Sequence, residues 1–199
     1  MNDRCERYAL SFTTGGLLEQ EAAVLAPVHI EHRDWANVRD VAVAQNLLQS
    51  RTRSTGVRRV RETVKRMSAL TDREVEILTD VTTTERGHLM WAAACRRYDF
   101  IGEFAEEVLR ERFLTLAGTV SYADYDSFYR AKAMWHDELD ATSAATYKKL
   151  RQVLFRMMVE AGLLTAKGAI EPALISARVA EYLTERTPSD IRFFPTRGV

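Results

Sequence analysis

The sequence predicts an all-α protein, a mainly helical globular fold with two helix-turn-helix or winged-helix-like units and at most one small β-hairpin. Three observations support this prediction. Only four prolines and nine glycines interrupt 199 residues, so long helices are possible. Serine or threonine followed three residues later by an acid, the spacing of a capping box, recurs before apolar runs. Apolar residues repeat mostly at helical spacing, and strand-like alternation is scarce.

The first two helices are predicted before residue 50. Gly15-Gly16 precedes a helix, LLEQEAAVLA, which we expect to end at Pro27 because proline lacks the N–H that continues a helix. Residues 29–32 then form a connector. Asp34 is a suitable N-cap for a second helix, WANVRDVAVAQNLL, and residues 46–53 form the turn that follows it.

The third helix carries the highest local concentration of charge. Residues 51–67, RTRSTGVRRVRETVKRM, contain seven basic residues and one acid, although the whole chain has a net charge of zero. Apolar residues from Val57 to Met67 form one stripe, which leaves the basic residues on the opposite side. The second helix, the turn and the basic third helix have the layout of a helix-turn-helix. In such a unit, hydroxyl side chains as well as cationic ones contact phosphate. The DNA contacts predicted here are Arg51, Arg53, Ser54, Thr55, Arg58, Arg59, Arg61, Lys65 and Arg66.

Capping signatures mark the helices in the middle of the chain. Thr71 opens a short helix through Leu78, and Thr82 opens a longer one to about Arg97. A further helix is expected over residues 99–113. The next covers residues 121–135, and its aromatic side chains are interpreted as core.

A second cationic helix is predicted at residues 142–161, again with an apolar stripe on one side and lysines and arginines outside it. Gly162 ends this helix, and residues 163–170 read as a small β-hairpin that turns at Lys167-Gly168. Helix followed by hairpin is the order of recognition helix and wing in a winged helix. The DNA contacts predicted here are Thr142, Ser143, Thr146, Lys148, Lys149, Arg151, Gln152 and Lys167.

The end of the chain is expected to pack onto the core. Pro172 suits the first turn of a last long helix that reaches about Arg186. The apolar tail that contains Ile191, Phe193 and Phe194 then docks on the core. We expect an N-terminal helix-turn-helix unit at residues 1–70 and a C-terminal helical unit at residues 71–199. The second unit includes a winged-helix-like segment at 122–170, and both share one compact body.

Composition and motifs argue against a membrane protein and against an enzyme. The longest apolar run, residues 89–95, is far shorter than the ~20 residues of a membrane span. Two distant cysteines, Cys5 and Cys95, and the lack of a secretory segment predict a soluble cytoplasmic protein. No phosphate-binding glycine loop and no GxSxG motif occurs, and His29 and His32 have no cysteine or second histidine pair nearby in sequence. We expect no catalytic residue, no metal and no cofactor.

Several segments, taken in order, resemble the BrxA family, small core components of bacteriophage exclusion (BREX) phage-defence systems. They are SFTTGGLLEQEAAVLA (11–26), ALTDREVEIL (69–78), LMWAAACRRYDFIGEFAEEVLRERF (89–113), YADYDSFYRAKAMWHDEL (122–139), TYKKLRQVLFRMMVEAGLL (146–164) and RFFP (192–195). The resemblance implies an all-α protein with two helix-turn-helix-like units that binds double-stranded DNA. It also implies work beside a methyltransferase, an ATPase and a phosphatase-like partner. Members of the family have been labelled inner-membrane proteins, and the hydropathy of this sequence argues against that label.

Three functions remain open at this point. The first is a non-enzymatic module that binds double-stranded DNA through two basic helices. The second is an adaptor that assembles other BREX proteins, which an exposed tail around Phe193 would favour. The third is an RNA-binding protein, since helical basic proteins also bind RNA. The first two are compatible, and we expect a monomer.

Overall fold

The computed structural model describes residues 7–197, and eleven α-helices make up most of this part of the chain. The prediction of a mainly helical protein is confirmed. A π-helical segment, Ala105–Arg110, joins α6 to α7, and a 3₁₀ turn, Asp190–Phe193, lies near the end. The helices are α1 Glu19–His32, α2 Trp35–Ala44, α3 Arg53–Met67, α4 Asp72–Ile77, α5 Thr83–Arg97, α6 Asp99–Phe104, α7 Glu111–Leu114, α8 Tyr122–Ala133, α9 Asp137–Asp140, α10 Ala144–Glu160 and α11 Ala177–Thr184.

Helix α1 differs from its prediction because Pro27 lies inside the helix rather than at its end. Pro27 is on the exposed side, where water can satisfy the carbonyl that loses its N–H partner. The last turn is stabilised by tertiary contacts. The buried His29 ring stacks on Trp35 with 3.7 Å between ring centroids, and its Nε2 lies 3.3 Å from an Asp72 carboxylate oxygen. The connector expected at residues 29–32 is therefore the end of α1.

Most of the predicted N-caps are confirmed. The Asp34 carboxylate accepts hydrogen bonds from the first backbone N–H groups of α2. Thr71, Thr82 and Ser121 head reciprocal capping boxes at the starts of α4, α5 and α8. A side chain that accepts from the first turn satisfies N–H groups that have no partner inside the helix, so these starts are encoded locally.

Glu85 connects the start of α5 to the start of α11. Its carboxylate accepts hydrogen bonds from the Ser176 hydroxyl at 2.6 Å and from the hydroxyl and N–H of Thr82 at 2.9 Å each. The Ser176 bond and then the two Thr82 bonds lower the pKa of the Glu85 carboxyl to about 2. The capping box therefore also orients a helix that lies far away in sequence.

The two cationic helices begin at other residues than predicted. Helix α3 begins at Arg53 with Thr52 as its N-cap, so Ser54 and Thr55 lie inside the first turn. Helix α10 begins at Ala144 with Ser143 as its N-cap. Both caps are hydroxyl side chains in extended backbone, and each accepts a hydrogen bond from the N–H three residues later.

The corner between α8 and α9 comes earlier than predicted. Helix α8 ends at Ala133, and Trp135 lies in the turn that follows. His136 precedes α9 as its N-cap residue. Its ring stacks on the Tyr8 ring with 3.8 Å between ring centroids, so packing accounts for the position of this side chain.

The predicted β-hairpin is reduced to isolated bridges. Leu164 pairs with Ile170 and Thr119 pairs with Ala169, both antiparallel, and no strand forms within residues 7–197. The turn itself is as expected, since the Gly168 N–H donates to the Thr165 carbonyl and Gly168 has a φ of +82°. The chain then stays extended, so the last helix begins after Ser176 rather than at Pro172.

The apolar core is centred on α5, which is contacted by α1 and α3 from the first 70 residues and by α10 and α11 from the rest. Trp91 of α5 is fully buried, and its indole N–H donates to the Phe193 carbonyl at 2.9 Å. Ile191, Phe193 and Phe194 are buried, which confirms that the tail docks on the core. The exposed tail that would have favoured an adaptor is therefore not present.

Residues 7–197 contain no helix that combines the length and the hydropathy needed to cross a bilayer.

Candidate nucleic-acid interface

Helix α3 presents a cationic face that runs from its first turn to its middle. Arg58 and Arg61 are exposed there, and Arg51, Arg53 and Ser54 extend the face at the N-terminal end. None of these arginines forms an ion pair with any residue in the described part of the chain. The dipole of a helix attracts anions to its N-terminus, so the arginines and the N-terminus of α3 both attract phosphate.

An arginine-rimmed cleft separates α2 from α3. Arg39 of α2 lines it opposite Arg53 and Arg61 of α3, and the cleft has a volume of about 450 Å³. Val57 contributes to an apolar floor, and Asp40 is the one acid in the lining. Arg39 was missed by sequence reasoning, because a single arginine in a mostly apolar helix gives no local signal.

Three of the predicted contacts on α3 form hydrogen bonds within the protein. Arg59 Nε donates to the Glu21 carboxylate at 3.1 Å, and a second guanidinium nitrogen binds the same oxygen. The Lys65 ammonium donates to the Ser11 hydroxyl at 3.3 Å. Thr55 is half-buried and accepts a hydrogen bond from the Thr52 hydroxyl. These side chains border the cationic face, and Arg59 brings little net charge to it.

Arg66 is a correction to the prediction. Its side chain has 0% exposure, so it cannot contact DNA. Arg66 Nε donates to Glu62 at 2.9 Å, and Nη1 donates to the Gly16 carbonyl at 2.6 Å. The same nitrogen lies 3.2 Å from the sulfur of Met157 in α10. A buried charge needs such partners, and Arg66 therefore has a structural role in the core.

Glu62, the only acid of α3, completes this buried network. The Tyr98 hydroxyl donates to both Glu62 carboxylate oxygens, at 2.8 and 3.0 Å. Burial and then the Glu62 charge raise the pKa of the Tyr98 phenol to about 12, so this hydroxyl remains a donor. The network connects the inner side of α3 to the start of α6.

Helix α10 has a second exposed cationic face. Lys148, Lys149 and Gln152 point outward, and neither lysine forms an ion pair within residues 7–197. Arg156 extends this face by one turn, although its Nε also donates to Glu160 at 2.7 Å. An ion pair this exposed contributes little to stability, so Arg156 can exchange its partner for a phosphate.

The hydroxyls predicted at the start of α10 act mainly as caps. The Ser143 hydroxyl accepts from the Thr146 N–H at 3.2 Å and donates to the Thr146 hydroxyl at 3.0 Å. The Thr142 hydroxyl donates to the Glu138 carbonyl at 2.9 Å. Ser143 is nevertheless exposed, so it remains on the surface beside the lysines.

Arg151 has partners within the protein as well. One guanidinium nitrogen donates to the Asp126 carboxylate at 2.8 Å. The guanidinium carbon lies 4.3 Å from the Tyr122 ring centroid and 5.6 Å from that of Tyr147. The side chain is only 19% exposed, so stacking and pairing hold it against α8 and away from the outer face.

Lys167 lies at the tip of the turn that follows α10, and its side chain is exposed. A groove of about 520 Å³ separates this turn from α10. Tyr122, Phe155 and Val159 line the groove, and Lys167 and Gln152 lie at its edges. The structure thus places Gln152 and Lys167 on one groove, whereas the side chain of Arg151 is turned toward α8.

The two cationic helices adjoin at a third cleft. Arg59 of α3 and Arg156 of α10 both line this open space of about 500 Å³, beside the Gly15-Gly16 loop. The lining also contains three acids, Glu19, Glu21 and Glu160, so this cleft is not cationic. Sequence reasoning placed Arg156 outside the apolar stripe but did not include it among the contacts. Across the interface, the exposed cations without an ion pair to another described residue are Arg39, Arg51, Arg53, Arg58, Arg61, Lys148, Lys149 and Lys167.

The described residues offer little for metal chemistry. No group of three or more His, Cys, Asp or Glu side chains between residues 7 and 197 is arranged to hold a metal ion. Cys95 is buried, and burial raises the pKa of its thiol well above the ordinary value, which keeps it unreactive.

Comparison with known proteins identifies one family. The sequence profile of the BrxA family matches residues 6–187. The chain is similar to the BREX protein BrxA of Bacillus cereus, with 27% identity over 157 residues that cover 73% of this chain and 74% of that protein. It is also similar to the BREX protein BrxA of Paramagnetospirillum magneticum, with 22% identity over 181 residues, 90% of this chain and 91% of that protein.

A solved structure has the same fold. The crystal structure of an uncharacterized protein from Magnetospirillum magneticum superposes with a TM-score of 0.78 at 22% sequence identity. The match covers 94% of this chain and 97% of that one. At this level of identity the likeness concerns the fold alone.

Proposed function

Because the chain belongs to the BrxA family of BREX phage-defence proteins, we propose that it is the double-stranded DNA-binding accessory protein of such a system, without enzymatic activity. The observation that carries this proposal is the set of exposed arginines on α2 and α3 that form no ion pair with any residue in 7–197, in a protein whose net charge is zero. Such a patch binds phosphates by releasing counterions, and the rest of the surface does not contribute.

The N-terminal half would bind as a helix-turn-helix unit. In this proposal α3 is the recognition helix and α2 is the helix that lies across the DNA backbone. Arg58 and Arg61 point away from the core and are long enough to reach base edges or phosphates in a major groove. Arg39 and Arg53 on the two sides of the cleft would clamp the backbone beside it.

The C-terminal half would bind as a winged-helix-like unit. Helix α10 supplies Lys148, Lys149 and Gln152, and the turn at Lys167 takes the place of the wing. The turn is short and is fastened by the Thr119–Ala169 bridge, so it would contact the backbone rather than enter a groove.

RNA is the less suitable ligand for this surface. Sequence-specific RNA binding relies on aromatic side chains that stack on unpaired bases. Within the described residues, the arginine face of α2 and α3 has no exposed aromatic ring, and its cleft floor is aliphatic. Phosphates at fixed spacing along a duplex match such a face better.

The test is fluorescence anisotropy of a labelled ~30-bp duplex titrated with the protein, with unlabelled RNA as competitor. We expect micromolar or tighter affinity at low salt and poor competition by RNA. Arg58→Glu with Arg61→Glu should weaken binding about 10- to 100-fold at ~100 mM salt, because two phosphate or base contacts become repulsive. Lys148→Glu with Lys149→Glu should have a similar effect.

Arg178→Glu with Arg186→Glu is the matched control, since it changes the net charge equally on another part of the surface. It should weaken binding only slightly. Circular dichroism verifies that all three double variants are folded. Equal affinity of the wild type and both interface variants would refute the assignment of the site, and no binding at low salt would refute DNA binding by the isolated protein.

A further inference from the structure

The corner between α8 and α9 exposes two large apolar side chains next to each other. Met134 and Trp135 are each 77% exposed. The two other tryptophans are at least partly covered, and Trp91 is fully buried. A solvent-exposed tryptophan does not contribute the free energy that burial of its apolar surface would give, so its exposure on a folded protein needs an explanation.

Hydrogen bonds and a buried side chain fasten this corner to the rest of the fold. The Trp135 N–H donates to the Lys132 carbonyl at 3.0 Å, which closes the end of α8. The buried Tyr129 hydroxyl donates to the Leu139 carbonyl at 2.9 Å, which fastens α9 to α8. His136 is buried directly after Trp135. The two apolar side chains are therefore presented on a preformed support, which lowers the entropy lost on binding.

The exposed charges of α9 at this corner are acidic, although Arg130 is exposed on α8 one turn before Met134. Asp137 and Asp140 of α9 are exposed and form no ion pair with another described residue. Lys132, one turn before Trp135, is already neutralised by Glu103 at 2.5 Å and Glu107 at 2.7 Å. Carboxylates at this position repel phosphates, so the corner is not a further part of a DNA-binding surface. They attract lysine and arginine side chains instead.

We propose that the Met134–Trp135 corner docks into an apolar pocket with a basic rim on another protein of the BREX system. Tryptophan is enriched among residues that dominate binding energy at interfaces, where it fills a pocket from which water is excluded. Asp137 and Asp140 would pair with the rim and set the orientation. The proposal is independent of DNA binding, and it moves the adaptor role from the buried C-terminal tail to this corner.

The experiment measures binding of the full chain to each of the other BREX proteins of the same host, purified singly, by surface plasmon resonance. We expect one of them to bind the wild type, and Trp135→Ala to weaken that binding at least ~30-fold. Met134→Ala should weaken it less. Asp137→Lys with Asp140→Lys should also weaken it, and the loss should shrink as salt is raised because the rim contacts are electrostatic.

Leu174→Ala is the matched control, because Leu174 is 86% exposed on a different segment. It should leave both binding to the partner and binding to DNA unchanged. Trp135→Ala should bind the ~30-bp duplex as well as the wild type, so failure of this proposal and failure of DNA binding are separate results. No binding by any partner, equal binding of wild type and Trp135→Ala, or self-association that depends on Trp135 would each overturn the proposal.

Discussion

Arg58 and Arg66 belong to the same helix and the same chemical class, but their surroundings are opposite. Arg58 is exposed without an ion pair to another described residue, whereas Arg66 is fully buried between Glu62, the Gly16 carbonyl and Met157. A buried guanidinium is tolerated only because these partners replace water. The consequence is that the same substitution should have unrelated effects at the two positions.

Arg66→Met should destabilise the protein by about 3–5 kcal/mol, because it leaves the Glu62 carboxylate buried without its cation. Arg58→Met should change stability by less than ~0.5 kcal/mol, as is usual at an exposed position. Urea unfolding followed by circular dichroism measures both. DNA affinity below the unfolding transition should fall for Arg58→Met and stay unchanged for Arg66→Met.

The double substitution Glu62→Gln with Arg66→Met is the control for the buried pair. It removes the uncompensated charge and keeps an acceptor for the Tyr98 hydroxyl, so it should recover part of the stability lost in Arg66→Met. A loss of less than ~1 kcal/mol for Arg66→Met alone would contradict the structural role of this arginine.

Helical periodicity could not distinguish these two arginines. It correctly predicts the stripe from Val57 to Met67 as the buried side. However, α3 is packed against α1, α2 and α5, so more than one narrow stripe is covered. The partners of Arg66 at Gly16 and Met157 lie 50 and 91 residues away in sequence. No local pattern contains that information.

At the scale of elements, the loop before α1 is held between the two cationic helices. Arg66 of α3 donates to the Gly16 carbonyl at 2.6 Å, and the Leu17 N–H donates to Glu160 of α10 at 2.5 Å. Gly16 is buried, and a Cβ at this position would collide with the Glu160 carboxylate. The loop therefore fixes the distance between the two cationic helices, each of which we propose contacts DNA.

Gly16→Ala should destabilise the protein by about 0.5–1.5 kcal/mol, because the new methyl group pushes the Glu160 carboxylate off the Leu17 N–H. The backbone of Gly16 does not have a positive φ, so alanine itself fits the conformation. Glu160→Ala should cost a similar amount by removing the same hydrogen bond. Thermal and urea unfolding of both single variants and the double variant measure these values.

The double variant distinguishes this mechanism from simple crowding. Once Glu160 is absent, Gly16→Ala has nothing to displace and should cost little more. The loss of unfolding free energy in the double variant should therefore be about 1 kcal/mol smaller than the sum of the losses in the two single variants. Strict additivity would show that Gly16 and Glu160 act independently. Gly118→Ala is unsuitable as a control because Gly118 has a φ of +72°.

Helix ends that depend on residues close together in sequence were predicted well. Features that depend on contacts between residues distant in sequence were not. The capping boxes at Thr71 and Thr82 lie within four residues, so their helices begin where expected. Pro27 predicts a helix end, but the stacking of His29 on Trp35 extends α1 beyond it. The hairpin after α10 was recognised by its turn, although its pairing is limited to single bridges.

At the scale of the whole molecule, opposite charges occupy different parts of the surface. The chain has 28 basic and 28 acidic residues, so its composition alone does not indicate a polyanion as ligand. Within residues 7–197, most exposed cations without an ion pair lie on or beside α2, α3 and α10, while Asp137 and Asp140 lie at the α8–α9 corner. Arg130, Arg186 and Arg197 are the exceptions. Sequence reasoning found the cationic helices because their charges are consecutive. It missed the exposed Trp135, which it interpreted as core from its helical spacing.

This separation of charge makes the salt dependence of DNA binding the most informative property of the whole protein. If six to eight cations engage phosphates, log K should fall with log salt at a slope of about −5 to −7. Arg58→Glu with Arg61→Glu and, separately, Lys148→Glu with Lys149→Glu should each reduce the magnitude of the slope by about 2 on a ~30-bp duplex. The control Arg178→Glu with Arg186→Glu should leave it unchanged. A slope that responds only to the α3 substitutions would mean that one duplex does not reach α10, and that the loop at Gly16 serves stability rather than DNA binding.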